Sequence, residues 1–158
     1  MDEAVSDHRN AVAVSTSQPV ASWPSASILA MTTRMAAKRV LLIEDNKDAR
    51  EMLRMMLELA GHVVYEAADG VAGLALVTAE RPDVGIIDIG LPRMDGYQVA
   101  RRIRDLPHGR DMLLLALTGY GAPADVKRSE EHGFNHHLVK PVDPDYLTQV
   151  IHTRVAAR

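Results

Sequence analysis

Short apolar runs alternate with stretches of helical periodicity along residues 38–158. Five runs have the length and the aliphatic or β-branched character of strands, and they cover residues 40–43, 62–66, 83–88, 112–117 and 136–139. Each run is followed by a segment whose apolar residues recur at helical spacing. Strands that alternate with helices in this way predict a doubly wound α/β fold. We expect a five-stranded parallel sheet with right-handed crossovers and helices on both faces.

The spacing of apolar side chains indicates which side of each helix packs on the sheet. The first helix, over residues 47–60, has an apolar stripe made of Ala49, Met52, Leu53, Met56, Leu57 and Ala60. The second, over residues 70–79 with Asp69 as its cap, is predicted to bury Ala72, Leu74, Ala75 and either Val77 or Thr78. The third, capped by Asp95, has an inward side of Val99, Ala100 and Ile103 and a solvated side of Arg101, Arg102 and Arg104.

The last two helices differ in how firmly they are expected to pack. The fourth starts at Pro123, closes at Gly133 and carries little apolar surface beyond Val126. Such a helix is either a movable element or a marginal surface helix. The closing helix begins at Pro144 and has an apolar side formed by Leu147, Val150, Ile151 and Val155.

Residues 1–37 differ in composition from the rest of the chain. They are rich in Ser, Ala, Thr and Val and follow neither the helical nor the strand period. We therefore predict a disordered N-terminal extension over residues 1–37, followed by one folded domain over residues 38–158. Met31 and Met35 leave open a later start of translation, and a docking tail is the alternative role for the segment.

Composition excludes several classes of function. Hydrophobic residues make up 47% of the 158 residues, which suffices for a single core. The formal charge of −3 provides no basic surface for nucleic acid, so we expect no nucleic-acid binding. The absence of cysteine excludes disulfides and thiolate metal sites and fits a reducing compartment. No apolar run is long enough to cross a bilayer, so we predict a cytoplasmic protein without membrane insertion.

Polar side chains of complementary charge end four of the five predicted strands. Glu44 and Asp45 follow the first strand, Asp88 ends the third, Thr118 the fourth and Lys140 the fifth. The carboxyl ends of parallel strands meet at one edge of the sheet, where open α/β folds bind their ligands. Three carboxylates at one place repel each other unless a cation joins them, and an all-oxygen donor set suits Mg²⁺.

These side chains are the parts that phosphoryl transfer requires. Asp88, on the central strand, is the natural nucleophile and would carry an aspartyl phosphate. The Mg²⁺ ion, the ammonium group of Lys140 and the hydroxyl group of Thr118 would stabilise the charge on the phosphoryl oxygens. The sequence therefore predicts a magnesium-dependent phosphoacceptor at this edge of the sheet.

The motifs at the strand ends resemble the receiver domain of two-component response regulators. They are an acidic pair in LLIEDN, an aspartate followed by a proline and a DG turn in DIGLPRMDG, a threonine in LALTG, and a Lys-Pro pair in LVKP. The match covers essentially all of residues 38–158. It implies a flavodoxin-like (βα)5 sheet, and many receiver domains have a cis peptide bond at the position of Lys140 and Pro141.

The resemblance also assigns a role to each site residue. Asp88 would be the phosphoacceptor, Lys140 would contact the phosphoryl oxygens, and Thr118 would move towards them after phosphorylation. The metal would be held by Asp88, by Asp45 directly, by Glu44 through water and by the backbone carbonyl of Gly90.

One position departs from the family pattern. Three residues before the lysine, receiver domains usually have a tyrosine or phenylalanine whose rotamer reports phosphorylation, and this chain has His137. His137 is either an exposed strand residue or a switch of altered strength that responds to pH, since histidine titrates near neutrality.

These features predict a phosphorylation-controlled signalling switch rather than an enzyme. A sensor histidine kinase or a histidine phosphotransfer protein would supply the phosphoryl group to Asp88. The face formed by the fourth helix, the fifth strand and the last helix would then bind a downstream protein or a second copy of the chain. We expect no output domain after Arg158, and no catalysis beyond self-phosphorylation and slow dephosphorylation.

Three other functions fit parts of the pattern. A Mg²⁺-dependent phosphohydrolase of similar architecture typically has a second aspartate two residues after the nucleophile, where this chain has Gly90. A nucleotide-binding or flavin-binding module would need a glycine-rich loop after the first strand, where this chain has two acids. A scaffold that is never phosphorylated would not require the complete set of acids, threonine and lysine.

Overall fold

The computed structural model describes residues 36–119, 121 and 123–153, and in them strands and helices alternate strictly. Strands β1 to β5 span Arg39–Ile43, Val63–Ala67, Val84–Asp88, Leu113–Thr118 and His136–Val139. Helices α1 to α5 span Lys47–Leu59, Gly70–Glu80, Gly96–Asp105, Pro123–Glu131 and Pro144–Ile151, and a short 3₁₀ helix covers His108–Arg110. The predicted extension over 1–37 lies outside the described residues apart from Ala36 and Ala37.

The strands form one parallel sheet in the order β2-β1-β3-β4-β5. This order confirms the predicted doubly wound fold, because the chain reverses direction across the sheet between β2 and β3. Every residue of β3 is buried, as expected for a central strand that is covered on both faces.

Alternate residues of the strands contribute to two separate cores, one on each face. Leu41 and Ile43 of β1 point to the face that α2 and α3 cover, and Val40 and Leu42 point to the face that α1 and α5 cover. Helices therefore pack on both sides of the sheet, as predicted. None of the helices over the described residues is long and apolar enough to span a membrane.

The buried faces of two helices match the predicted ones only in part. In α2, Val77 is buried and Leu74 half-buried as predicted, whereas Ala72 and Ala75 are exposed and Gly70 and Gly73 are buried in their place. A Cβ atom at residue 73 would overlap the side chain of Ile43, so this glycine allows the helix to lie directly on the sheet. Because α2 is apolar nearly all round, its sequence could not indicate the inward side. In α1, Leu53 and Leu57 are buried as predicted, whereas Met52 and Ala60 are exposed.

Arg104 does not face water, contrary to the prediction for the third helix. Its guanidinium group is half-buried and donates hydrogen bonds to the carbonyl oxygens of Gly109, Met112 and Gly133 and to Asn135 Oδ1, at 2.6 to 2.9 Å. The end of α3 lies beside the turns that lead into β4 and β5, and their carbonyl groups need donors. Arg101 and Arg102 are exposed, as predicted.

Helix α4, the fourth predicted helix, packs on the domain through a polar residue rather than an apolar one. Ser129 is the buried residue of α4, and Val126 is only half-buried. In α5, Leu147, Val150 and Ile151 are buried as predicted, and Val155 lies outside the described residues. Helix α4 thus has little apolar anchoring, in agreement with its sequence.

Candidate functional site

The strand register places the predicted site residues at one edge of the sheet. Ile87 of β3 lies opposite Ile43 of β1, Asp88 lies opposite Leu117 of β4, and Thr118 lies opposite Val139 of β5. The residues at or just beyond these strand ends are therefore neighbours, and they are Glu44, Asp88, Thr118 and Lys140.

Three carboxylates form a cluster at this edge. One oxygen from each of Glu44, Asp45 and Asp88 lies within 4.8 Å of the others. Glu44 and Asp88 are buried, whereas Asp45 is exposed, so the cluster is open to solvent on one side. Oxygen donors alone, with room for water, match what Mg²⁺ prefers. The residues present therefore fit a magnesium ion.

Lys140 provides the cation beside these carboxylates. Its Nζ donates a hydrogen bond to Glu44 Oε2 at 2.7 Å and lies 3.3 Å from Asp88 Oδ2. Burial by itself would lower the pKa of Lys140, but the hydrogen bond to Glu44 and the charges of Asp88 and Glu44 raise it above its ordinary value. The lysine is therefore positively charged at neutral pH. Its peptide bond to Pro141 is cis.

Glu44 depends on its neighbours to remain ionised. Only 1% of the residue is exposed, and this burial raises the pKa of its carboxyl group. The hydrogen bonds from Lys140 and from the backbone N–H of Asn46, at 3.1 Å to Oε1, act in the opposite direction. Glu44 and Lys140 therefore form one electrostatic unit at the base of the cluster.

The turn after β3 fixes the position of Asp88. The backbone N–H of Gly90 donates to Asp88 Oδ1 at 3.0 Å. Asp95 caps α3 by accepting from the N–H of Gln98 at 2.8 Å. A Cβ atom at residue 96 would overlap the backbone carbonyl oxygen of Asp88. The DG turn is therefore required because α3 begins directly against the end of β3.

Thr118 and Gly90 are adjacent to the cluster. Thr118 is half-buried at the end of β4, and its carbonyl oxygen accepts from the N–H of Lys140 at 2.8 Å. The movement predicted for Thr118, and the metal ligation predicted for the Gly90 carbonyl, stay predictions.

His137 lies on β5, three residues before Lys140, and links this strand to α4. Its Nδ1 is 3.2 Å from the hydroxyl oxygen of Ser129, and this hydroxyl donates to the carbonyl of Asp125 at 2.9 Å. With the hydroxyl proton directed at Asp125, the Nδ1–H group of His137 is the donor to Ser129. His137, which replaces the tyrosine or phenylalanine of the family pattern, is thus half-buried and hydrogen-bonded.

Sequence reasoning missed two residues that surround Glu44. Asn46 caps α1 by accepting from the N–H of Ala49 at 2.9 Å, and its own N–H contacts Glu44. Arg50 donates from Nη1 to the carbonyl oxygen of Glu44 at 2.7 Å. The sequence spacing could have indicated the role of Arg50, because an arginine four residues after a helix cap can reach back over the cap.

Comparison with known proteins agrees with this geometry. The family model described as the response regulator receiver domain matches residues 40–152. An uncharacterised 14.6 kDa protein of Leptolyngbya boryana is 36% identical over 117 residues, which are 74% of this chain and 89% of that protein. Longer regulators also match, and this chain covers 42 to 45% of their length.

Solved structures give the same result. The chemotaxis protein CheY4 of Vibrio cholerae superposes with a TM-score of 0.71 at 30% identity, over 76% of this chain and 100% of that one. A second match is the receiver domain of sensor histidine kinase PA1611 from Pseudomonas aeruginosa PAO1, whose structure has a magnesium ion in the active-site cleft. It superposes with a TM-score of 0.68 at 31% identity, over 73% of this chain and 95% of that one. Receiver domains bind Mg²⁺ in an acidic pocket and interact with histidine kinases or phosphotransfer proteins. This chain therefore belongs to the response regulator receiver domain family of two-component signalling.

Proposed function

We propose that this protein is a phosphorylation-controlled switch in which Asp88 accepts a phosphoryl group from a histidine. The donor would be a sensor histidine kinase or a histidine phosphotransfer protein. The proposal rests on one observation: Asp88, at the end of the central strand, lies 3.3 Å from the ammonium group of Lys140 and beside two further carboxylates. This function implies a cytoplasmic protein.

The chemistry follows from the groups around Asp88. A carboxylate oxygen of Asp88 forms a bond to phosphorus as the bond between phosphorus and the donor imidazole breaks, and the imidazole nitrogen keeps the electron pair. Lys140 would donate hydrogen bonds to the phosphoryl oxygens, since its Nζ lies 3.3 Å from Asp88 Oδ2. The N–H of Gly90 holds the acceptor carboxylate in place through Asp88 Oδ1.

Four groups would hold the magnesium ion, namely the carboxylates of Glu44, Asp45 and Asp88 and the backbone carbonyl of Gly90. When bound, the ion would offset the charge of the carboxylates and of the incoming phosphoryl group. Glu44 would act through water, because its buried carboxylate is already engaged by Lys140 and Asn46.

The phosphate on Asp88 would change the contacts of Thr118 and through them the position of α4. The hydroxyl group of Thr118 would move towards the new negative charge. Helix α4 can respond because its anchoring is the buried Ser129, which joins it to His137 on β5. The contact between His137 and Ser129 would thus respond to phosphorylation, in place of the tyrosine or phenylalanine whose rotamer does so in related domains.

The signal would leave through the face formed by α4, β5 and α5. Two large apolar side chains of this face, Val139 and Tyr146, are 45% and 44% exposed. A downstream protein or a second copy of the chain would cover them. Turnover of a separate substrate is not part of the proposal, since Gly90 occupies the position where a phosphohydrolase would have its acid.

Intact mass spectrometry tests the proposal directly. The protein is incubated with acetyl phosphate or phosphoramidate, with and without Mg²⁺, and wild type is compared with Asp88→Asn. We expect one labile phosphate adduct in the wild type, absent without Mg²⁺ and absent in the variant. Asp111→Asn is the matched control, because Asp111 is exposed just before β4, at the opposite edge of the sheet.

Two results would contradict the proposal. An adduct of equal amount in Asp88→Asn would show that another residue is the acceptor. A wild type that neither gains phosphate nor binds Mg²⁺ in calorimetry would indicate a scaffold.

A further inference from the structure

Arg50 holds the turn that carries Glu44 and Asp45. It lies on α1, one turn after the cap Asn46, and its side chain is only 18% exposed. Its Nη1 donates to the carbonyl oxygen of Glu44 at 2.7 Å and lies 3.5 Å from that of Asp45. One guanidinium group thus contacts the backbone of both acidic residues.

The guanidinium group is itself held in place from β2. Its Nε lies 3.5 Å from Glu66 Oε1, and the other carboxylate oxygen of Glu66 is 3.1 Å from Arg54 Nε. The backbone N–H of Glu44 is also tied to β2, since it donates to the carbonyl of Ala67 at 3.1 Å. The turn after β1 is therefore fixed by a strand on one side and by Arg50 on the other.

We propose that Arg50 is a positioning residue for metal binding at Glu44 and Asp45. This inference rests on the proposed function, because it assumes that the acidic cluster binds Mg²⁺. The carboxylate of Asp45 is exposed, so its position depends on the backbone that carries it. Mg²⁺ tolerates little deviation from octahedral geometry, so a displaced peptide at this turn weakens binding.

Arg54 is the matched control. It lies one turn further along the same helix and pairs with the same Glu66. Its other partners are Glu51 and Glu58, and none of its hydrogen bonds or ion pairs within the described part of the chain reaches the turn at Glu44. Removing Arg54 therefore disturbs the surface ion pairs without releasing the carbonyl groups.

The test measures Mg²⁺ affinity without phosphorylation. Isothermal titration calorimetry with MgCl₂ is performed on wild type, Arg50→Met, Arg54→Met and Arg50→Lys. We expect Arg50→Met to bind Mg²⁺ about 10- to 100-fold more weakly than wild type, and Arg54→Met to bind like wild type within about twofold. Arg50→Lys keeps one donor but not the planar fork, so its affinity should lie between the two.

A second readout reports on the turn itself. In the Mg²⁺-free protein, the amide hydrogens of Glu44 and Asn46, which donate to the Ala67 carbonyl and to the Glu44 carboxylate, should exchange faster with solvent in Arg50→Met than in Arg54→Met. Amides in β3 should exchange equally in both variants. This local comparison separates a positioning role from general destabilisation. If Arg50→Met does not fold, the comparison of Arg50→Lys with Arg54→Met decides in the same way.

The outcomes separate this inference from the proposed function. Equal Mg²⁺ affinity in the Arg50 and Arg54 variants would overturn the positioning role and leave the phosphoacceptor role of Asp88 intact. A wild type without measurable Mg²⁺ affinity would overturn both.

Discussion

Replacing Arg104 by alanine should lower the stability of the fold strongly, because several backbone carbonyl groups would lose their hydrogen-bond donor. Its side chain donates to carbonyl oxygens in two turns, at Gly109 and Met112 in one and at Gly133 in the other, and to the side-chain oxygen of Asn135. These turns lead into β4 and β5, which carry Thr118 and Lys140. The arginine therefore joins the end of α3 to the two strands that complete the site.

The magnitude follows from the acceptors that would lose their donor. A buried acceptor left without a partner costs about 1 to 3 kcal/mol. Because Arg104 is only half-buried, water can reach part of the vacated space, and the lower value applies to each of the three carbonyl groups. The expected loss is about 3 kcal/mol in the free energy of unfolding, which lowers the melting temperature of a domain of about 120 residues by roughly 10 to 15 °C.

Urea and thermal unfolding followed by circular dichroism would measure this loss. Arg102→Ala is the control, since Arg102 is an exposed arginine on the same helix and should change stability by less than about 0.5 kcal/mol. Arg104→Lys should fall between them, because its single nitrogen cannot span the acceptors that the Nε, Nη1 and Nη2 atoms of Arg104 reach. If Arg104→Ala and Arg102→Ala unfold at the same urea concentration, the argument from unpaired carbonyls is refuted.

Three further predictions concern the site and its surroundings. Lys140→Met should slow phosphate incorporation from acetyl phosphate about 100-fold, because a donor to the phosphoryl oxygens is lost; an unchanged rate in the mass assay would exclude that role. Gly96→Ala should lower the free energy of unfolding by about 1 to 3 kcal/mol, measured in urea, because the new methyl group overlaps the carbonyl of Asp88. Gly119→Ala is the control and should unfold at the same urea concentration as the wild type, because the space around the added Cβ is open. Burial and the nearby charges of His152 and Lys38 lower the pKa of His62, so the unfolded chain takes up a proton more readily than the folded one. Stability should therefore fall as the pH drops through about 6.5, and His62→Gln should have a shallower pH dependence; an identical slope in both proteins would count against this origin.

The order of the elements and the location of the site followed from local sequence patterns. Each predicted strand agrees with the observed one to within a residue at either end, and Asp69 and Asp95 cap the helices as predicted. Apolar runs, caps and turn residues act over a few positions, so a short window of sequence contains the information. The grouping of Glu44, Asp88 and Lys140 also followed, because any parallel sheet brings the ends of its strands to one edge.

The tertiary structure alone decided which polar side chains support these elements. The sequence pattern predicted a solvated Arg104 and did not distinguish Arg50 from the other charged residues of α1. The carbonyl groups that these arginines bind need donors only after the strands have paired. The same holds for Ser129, whose partner His137 lies on a strand beyond the end of its helix. The inward side of α2 was decided by the contact between Gly73 and Ile43, and an evenly apolar helix has no local pattern that could reveal it. Sequence thus determined the elements and the chemistry at the strand ends, whereas the contacts that hold this chemistry in place arise between residues that meet only in the folded chain.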